Sequence, residues 1–265
     1  NFGVTTYFVC ANTTDRPHTT EARSQITYRS AGTLSNLWVY VSANTCNGST
    51  TIRTRQNVGD GAQSVSFAAS TTGSAEDTTN SDTVTAGDEI NYQVVVGGTS
   101  GTITLRTICI LFNATTNTVS RHASSDGNGA GLIFNSSTEF TAISGQIQHV
   151  GDYNETKFDF NTAGTLKNFF VYISANSRVN TSTHKSWING AAGNLAISVT
   201  ASSTGIFEDT VNSDTIAAND DVNFALTQGA GGGTLTVHIV SAEFETTNNK
   251  FHSINSTVGG VTQNA

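Results

Sequence analysis

The chain has 265 residues, of which only 12% are charged, with 25 Gly, one proline (Pro17) and a net charge of −8. Its 12 Lys+Arg against 20 Asp+Glu would repel a phosphate backbone, which excludes nucleic acid as a partner. No run approaches the ~20 apolar residues of a membrane-spanning helix and no charged-then-apolar segment opens the chain, so a soluble protein without membrane insertion is expected.

Met is absent even from position 1, so removal of an initiator, with or without a leader, is expected as well. The length accommodates two ordinary domains, each able to bury its own core. The composition suits strands and tight turns, because Gly, Asn and Asp tolerate positive φ and Thr fits a pleated sheet.

Taken in chain order, the opening stretch "NFGVTTYFVCANTT" reads as a strand. Apolar residues then alternate at Leu37, Val39 and Val41, at Val65, Phe67 and Ala69, at Ile90, Tyr92, Val94 and Val96, and at Ile103 and Leu105. That period of two continues at Phe169, Val171 and Ile173, at Leu195, Ile197 and Val199, at Val222, Phe224 and Leu226, and at Leu235 and Val237. No stretch has a helical period, so each half is expected to be an antiparallel β-sandwich of about eight short strands, with a jelly-roll arrangement.

Sliding the sequence by 132 positions aligns "AGTLSNLWVYVSAN" (31–44) with "AGTLKNFFVYISAN" (163–176). The register then holds without a gap to Gly97 and Gly229, with 29 of 67 positions identical, which reads as duplication of a whole domain rather than a short solenoid repeat. The expected layout is a first domain over 1–112, a Ser/Asn/Gly-rich linker over 113–132, a second domain over 133–245 and a polar tail over 246–265.

The phrase "EDTTNSDT" at Glu76 recurs as "EDTVNSDT" at Glu208. Lying between alternating strands, residues 72–90 are expected to form two short strands and their turns, with Asp82 and Asp88 as turn formers. Gly87 and its counterpart Asn219 fit a left-handed position. A rival reading is a calcium site made by Glu76, Asp77 and Asp82 and repeated by Glu208, Asp209 and Asp214, since hard cations take several oxygens from loops. The spacing lacks the D-x-D-x-D-G pattern of a preformed metal loop.

Cys10, Cys46 and Cys109 all fall in the first half, opposite Ala142, Arg178 and Ser241 at +132. Free, mostly buried thiols are expected, with a Cys10–Cys109 bridge as the alternative. The six histidines form no H-x-H, H-E-x-x-H or C-x-x-C pair and there is no G-x-S-x-G elbow, so no catalytic residue, cofactor or enzymatic activity is assigned. In "LWVYV" (37–41) and "FFVYI" (169–173) both alternating sets are apolar. Trp38 and Tyr40, with copies Phe170 and Tyr172, therefore need a second cover: the chain's own N-terminal arm, the neighbouring domain or another subunit. Trp187, opposite Arg55, is a candidate ligand contact if it lies exposed in a loop.

The run from "AGTLSNLWVYVSAN" to "TTGSAEDTTNSDTVTAGDEINYQVV", with its second copy, resembles the small jelly-roll units of bacteriophage virion proteins of the head-decoration, head-fibre and tail-associated kinds. The resemblance spans about 31–112 and 163–244. It implies a non-enzymatic virion component without cofactor, self-associating as a trimer or on a lattice and packing against other virion proteins such as the major capsid protein. Two rival readings are an extracellular carbohydrate-binding adhesin using Trp187, Trp38 or calcium, and an extracellular filament subunit pairing through its N-terminal segment.

Overall fold

The computed structural model describes residues 5–10, 18–125, 132–134, 138–146 and 151–246. Among them every regular element is a strand, apart from two single-turn 3-10 segments at Glu21–Arg23 and Tyr153–Glu155. The described chain divides into two compact units, the first running to Thr116 and the second starting at Asn117.

The first unit contains β1 (Thr5–Val9), β2 (Ile26–Thr27), β3 (Gly32–Asn44), β4 (Thr50–Gln56), β5 (Gly59–Phe67), β6 (Gly73–Val84), β7 (Glu89–Val95) and β8 (Ile103–Ala114). One sheet runs β1-β7-β4-β5, with β2 also on β7; the other runs β6-β3-β8. The second unit contains β9 (Thr118–Ser125), β10 (Leu132–Phe134), β11 (Thr138–Thr141), β12 (Gly145–Gln146), β13 (Phe158–Phe160), β14 (Gly164–Asn176), β15 (Ser182–Ile188), β16 (Ala191–Val199), β17 (Gly205–Ile216), β18 (Asp220–Thr227) and β19 (Leu235–Thr246). Its sheets run β11-β18-β15-β16, with β13 on β18, and β12-β9-β19-β14-β17, with β10 on β19. The all-β, antiparallel sandwich class read from the sequence is what the units show; among described pairs, only β12 with β9 is parallel.

Strands β3 to β8 recur as β14 to β19 at an offset of 132, with only the start of β18 displaced by one residue. The alternation explains the register. Leu37, Val39 and Val41 point inward with Ile52, Val65, Ile90 and Val94, while Phe169, Val171 and Ile173 do the same with Leu195, Ile197, Val222 and Phe224. Asn36 and Asn168 take φ of 58° and 54°, the left-handed conformation that asparagine tolerates. There the ladders β3–β6 and β14–β17 slip, forming a bulge that preserves the inward phase on both sides. Gly87 and Asn219 adopt φ of 107° and 72°, as their turn positions require.

Two sequence expectations are corrected here. The segment 113–132 is not a linker along its length: it holds the end of β8 and the strand β9, which pairs with β19 over Thr118–Ser125. Its polar composition hid the strand because β9 carries a buried charge, Arg121, whose guanidinium lies 3.3 Å from the buried Glu243 carboxylate. Residues 72–84 do not form two short strands; from Gly73 to Val84 they are the single strand β6, bulged in the middle. Thr246, the first residue of the expected tail, ends β19, and 247–265 lie outside the described residues.

Candidate assembly surface

The two units differ most at their last strand. Strand β19 buries ten of its twelve residues, whereas its counterpart β8 buries none. Their lateral neighbours differ too. Along one edge β19 pairs with β14; along the other, β9 covers Ile239–Thr246 and β10 covers Leu235–Val237. Among the described residues β8 pairs with β3 alone, which leaves its other edge of N–H and C=O groups unmatched by a strand. Open edges of this kind template further pairing.

The inner faces of the two strands differ as well. Val240, Ala242 and Phe244 on the inner face of β19 are at most 1% exposed, but Ile108, Ile110 and Phe112 of β8 are only partly buried against the first unit's core. Phe112 meets the ring of Tyr28 edge-on at 5.0 Å, which anchors this end of the strand.

The outer face of the β6-β3-β8 sheet carries two of the four aromatics singled out in the sequence. Trp38 is half-buried and Tyr40 is 41% exposed; their rings stack at 6.3 Å with an interplanar angle of 9°. Beside them across the ladder, Trp38 faces Cys109, and Leu111, 44% exposed, extends the patch. The copies behave differently. Phe170 is fully buried within the chain, between Glu208 and Ser241 on its flanking strands, so its reading as an intersubunit contact is corrected. Tyr172 is half-buried, with its ring 5.9 Å from that of His238.

The acidic phrase has a structural task. Asp77 accepts backbone N–H bonds from Ser64 at 3.0 Å and from Thr79 and Asn80 at 3.1 Å each. Asp82 accepts from the Thr54 hydroxyl at 2.5 Å and from the Ala62 N–H. In the second unit Asp209 accepts N–H bonds from Ala196, Val211 and Asn212, and Asp214 accepts from Asn194, Leu195 and the Ser186 hydroxyl. These carboxylates sit on β6 and β17 but bind the backbones of β5 and β16 in the opposite sheet, so each pair staples one side of its sandwich closed. Gly61 and Gly193 allow the close approach, because a Cβ there would come within 2.9 and 2.7 Å of the Asp82 and Asp214 oxygens.

The calcium reading is corrected accordingly, since the oxygens of these four aspartates are taken by protein donors. Among the described residues no group of three or more His, Cys, Asp or Glu is placed to hold a metal ion. Glu76 is exposed and accepts from the Asn36 side chain at 3.3 Å, while Glu208 lies half-buried on β17. Burial works against the charged form of Asp77, but the bonds from Asn80, Ser64 and Thr79 outweigh it and hold its carboxyl well below the usual range; Asp209 is lowered in the same way by Ala196, Asn212 and Val211.

Trp187 is not in a loop. It lies half-buried on β15, edge-to-face with Phe140 at 5.5 Å, and Phe140 meets Tyr153 at 6.0 Å. The equivalent place in the first unit holds Arg55 paired with Glu21 at 2.9 Å, so an aromatic cluster replaces an ion pair. The N-terminal strand is also engaged: β1 pairs with β7 from Thr5↔Val95 to Val9↔Asn91, so it serves its own unit rather than another chain's. All three cysteines are free thiols, Cys10 and Cys46 buried and Cys109 exposed on β8. Burial, against hydrogen bonds from Tyr92 and Tyr28, pushes the Cys10 thiol up to about 11.

No family model matches the chain, and no curated protein does. A solved structure described as an anti-sigma factor domain-containing protein aligns over 86% of this chain and 82% of its own, at 11% identity and a TM-score of 0.18. A likeness that weak carries no argument about fold or function.

Proposed function

We propose that the chain is a non-enzymatic structural subunit that acts by packing against other molecules, as a capsid-decoration or tail-associated component of a virion surface would. The observation that carries this reading is the contrast between β8 and β19: among the described residues β19 has strands on both edges and β8 on one, and Trp38, Tyr40 and Leu111 lie partly exposed on the outer face of the β8 sheet. An edge left open on an otherwise well-packed sandwich is a place for a partner.

The strand orders support the jelly-roll form of this reading. Taking β9 as first strand, the second unit sets β9-β19-β14-β17 against β11-β18-β15-β16, four strands over four. The first unit provides seven counterparts, β8-β3-β6 over β1-β7-β4-β5, and the offset of 132 is the mark of a duplicated domain. Such a tandem subunit suits a trimer or lattice, where three chains would present six similar domains beside neighbours such as a major capsid protein. Light scattering on the purified chain at micromolar concentration should find oligomers, with the weight-average mass rising with concentration. A monodisperse monomer across that range would count against the proposal.

A further inference from the structure

We infer that the outer face of the β11-β18-β15-β16 sheet binds a glycan carrying carboxylated sugars, with Trp187 against a sugar ring and the Lys185 ammonium on its carboxylate. The site is built from the second unit alone and needs no second copy, so it stands apart from the assembly reading.

Alternation along β15 sets out the site. Ser182, His184 and Ser186 are buried, so Thr183, Lys185 and Trp187 share the outer face, each partly exposed. Successive members of that row lie about 6.6 Å apart along the strand. The ladder partners beside them are small: Ala225 and Ala196 flank Lys185, and Ala192 faces Trp187. These alanines leave a flat floor. At one end stands Trp187, braced edge-to-face by Phe140 at 5.5 Å; at the other, Thr183 lies between Thr227 and Ser198, which makes a row of three hydroxyls across the sheet.

The first unit carries the same face with its charges neutralised. There Arg53 and Arg55 hold the places of Lys185 and Trp187; Asp60, facing Arg55, binds both guanidiniums, and Glu21 binds Arg55 at 2.9 Å. In the second unit both acids are gone, because Ala192 stands for Asp60 and Tyr153 for Glu21. One cation has become Trp187 and the other is kept as Lys185. Of the three described lysines, Lys157 binds Asp221 and Lys167 binds Glu245, whereas Lys185 has no acidic partner among the described residues. On a chain of net charge −8, an ammonium without a counter-charge is a place for an anion from outside. The neighbouring groups say which anion. An indole takes the apolar C–H face of a sugar ring, the hydroxyl row takes its OH groups, and the ammonium takes its carboxylate through a charge-assisted hydrogen bond.

The comparison between units makes the test specific. An array of uronic-acid and sialic-acid glycans, printed beside the same chains with their carboxyls reduced to alcohols, should retain the protein on the acidic members alone. Titrating the best of these into a Trp38→Phe chain, where Trp187 is the sole tryptophan, should shift the fluorescence. Lys185→Ala should weaken binding about tenfold or more, the loss of one charge-assisted bond. Ala192→Asp restores the acid that the first unit carries at that place and should weaken binding by a similar factor, while Ala192→Asn should bind as the parent does. Ala192 is exposed, so both of its variants should keep the parent's melting transition, and loss of binding is then not loss of fold.

Equal retention on the carboxyl-reduced chains, or undiminished binding by the Ala192→Asp chain, would overturn the role given to Lys185. Retention on none of the acidic glycans, or equal retention on acidic peptides printed alongside them, would refute the glycan site itself and leave the assembly reading untouched.

Discussion

Replacing Asp214 with alanine should lower the stability of the second unit by about 3 kcal/mol, because it strips two backbone N–H groups and one hydroxyl of a charged acceptor at a site where water cannot readily substitute. Asp214 is only 2% exposed, Leu195 and Ser186 are fully buried, and the carboxylate is what ties β17 to β16 and β15. For a unit of this size the loss amounts to a fall in melting temperature of roughly 10 °C, measurable by calorimetry. Asp214→Asn separates charge from shape: it keeps the volume but turns an N–H₂ group toward donors, so it should recover little of the loss. Full stability in either variant would show that the acidic phrase does not staple the sheets.

The same phrase adds an acid limb to the stability curve. The carboxyls of Asp77 and Asp209 are held below their unfolded value of 3.8, so the unfolded chain binds more protons than the folded one in this range. Their contribution is therefore complete above about pH 4 and is lost as pH falls below it.

A separate and earlier loss should come from His184. This residue occupies the core position that Ile52 fills in the first unit, between Ile197 and Leu226 on the flanking strands, and its Nε2 has no hydrogen-bond partner among the described residues. Burial lowers its pKa from 6.5 to about 3. The folded chain thus refuses a proton that the unfolded chain accepts, so stability is unaffected above about pH 6.5 and falls as pH drops toward 3, by about 1.4 kcal/mol per pH unit at full slope. His184→Ile should remove the part of the slope that this residue contributes. Denaturant midpoints at pH 8 and pH 5 should differ by more for the parent than for the variant, a window chosen to lie above the range in which Asp77 and Asp209 titrate. Equal pH dependence in the two proteins would contradict the assignment.

What could be read from the sequence was what its alternation encodes. Leu37, Val39 and Val41, or Val222, Phe224 and Leu226, repeat every second residue because one sheet face is buried, and the offset of 132 carries the strand bounds from one unit to the other. Three things escaped. Strand β9 looked like linker because only Val119 and Ala123 among its buried members are apolar, beside Thr118, Arg121, His122 and Ser124, and pairing of Arg121 with Glu243 is a tertiary fact. The phrase at Glu76 looked like a turn because Asp, Asn and Ser favour turns, yet its aspartates face a sheet across the sandwich and convert the same preference into a bulge. Trp38 and Phe170 looked equivalent, yet the first ring is half-buried and the second fully buried. In the first two cases the deciding partner lies on another strand.

Amide hydrogen exchange across β8 tests the account most directly, read on the protein at assembling concentration and again after dilution to single chains. The backbone N–H groups of Ile103–Ala114 on the open edge should exchange fast in the dilute chain and slowly in the assembly, while those of Leu235–Thr246 stay slow in both. Fast exchange along β8 inside the assembly, or slow exchange in isolated chains, would contradict it.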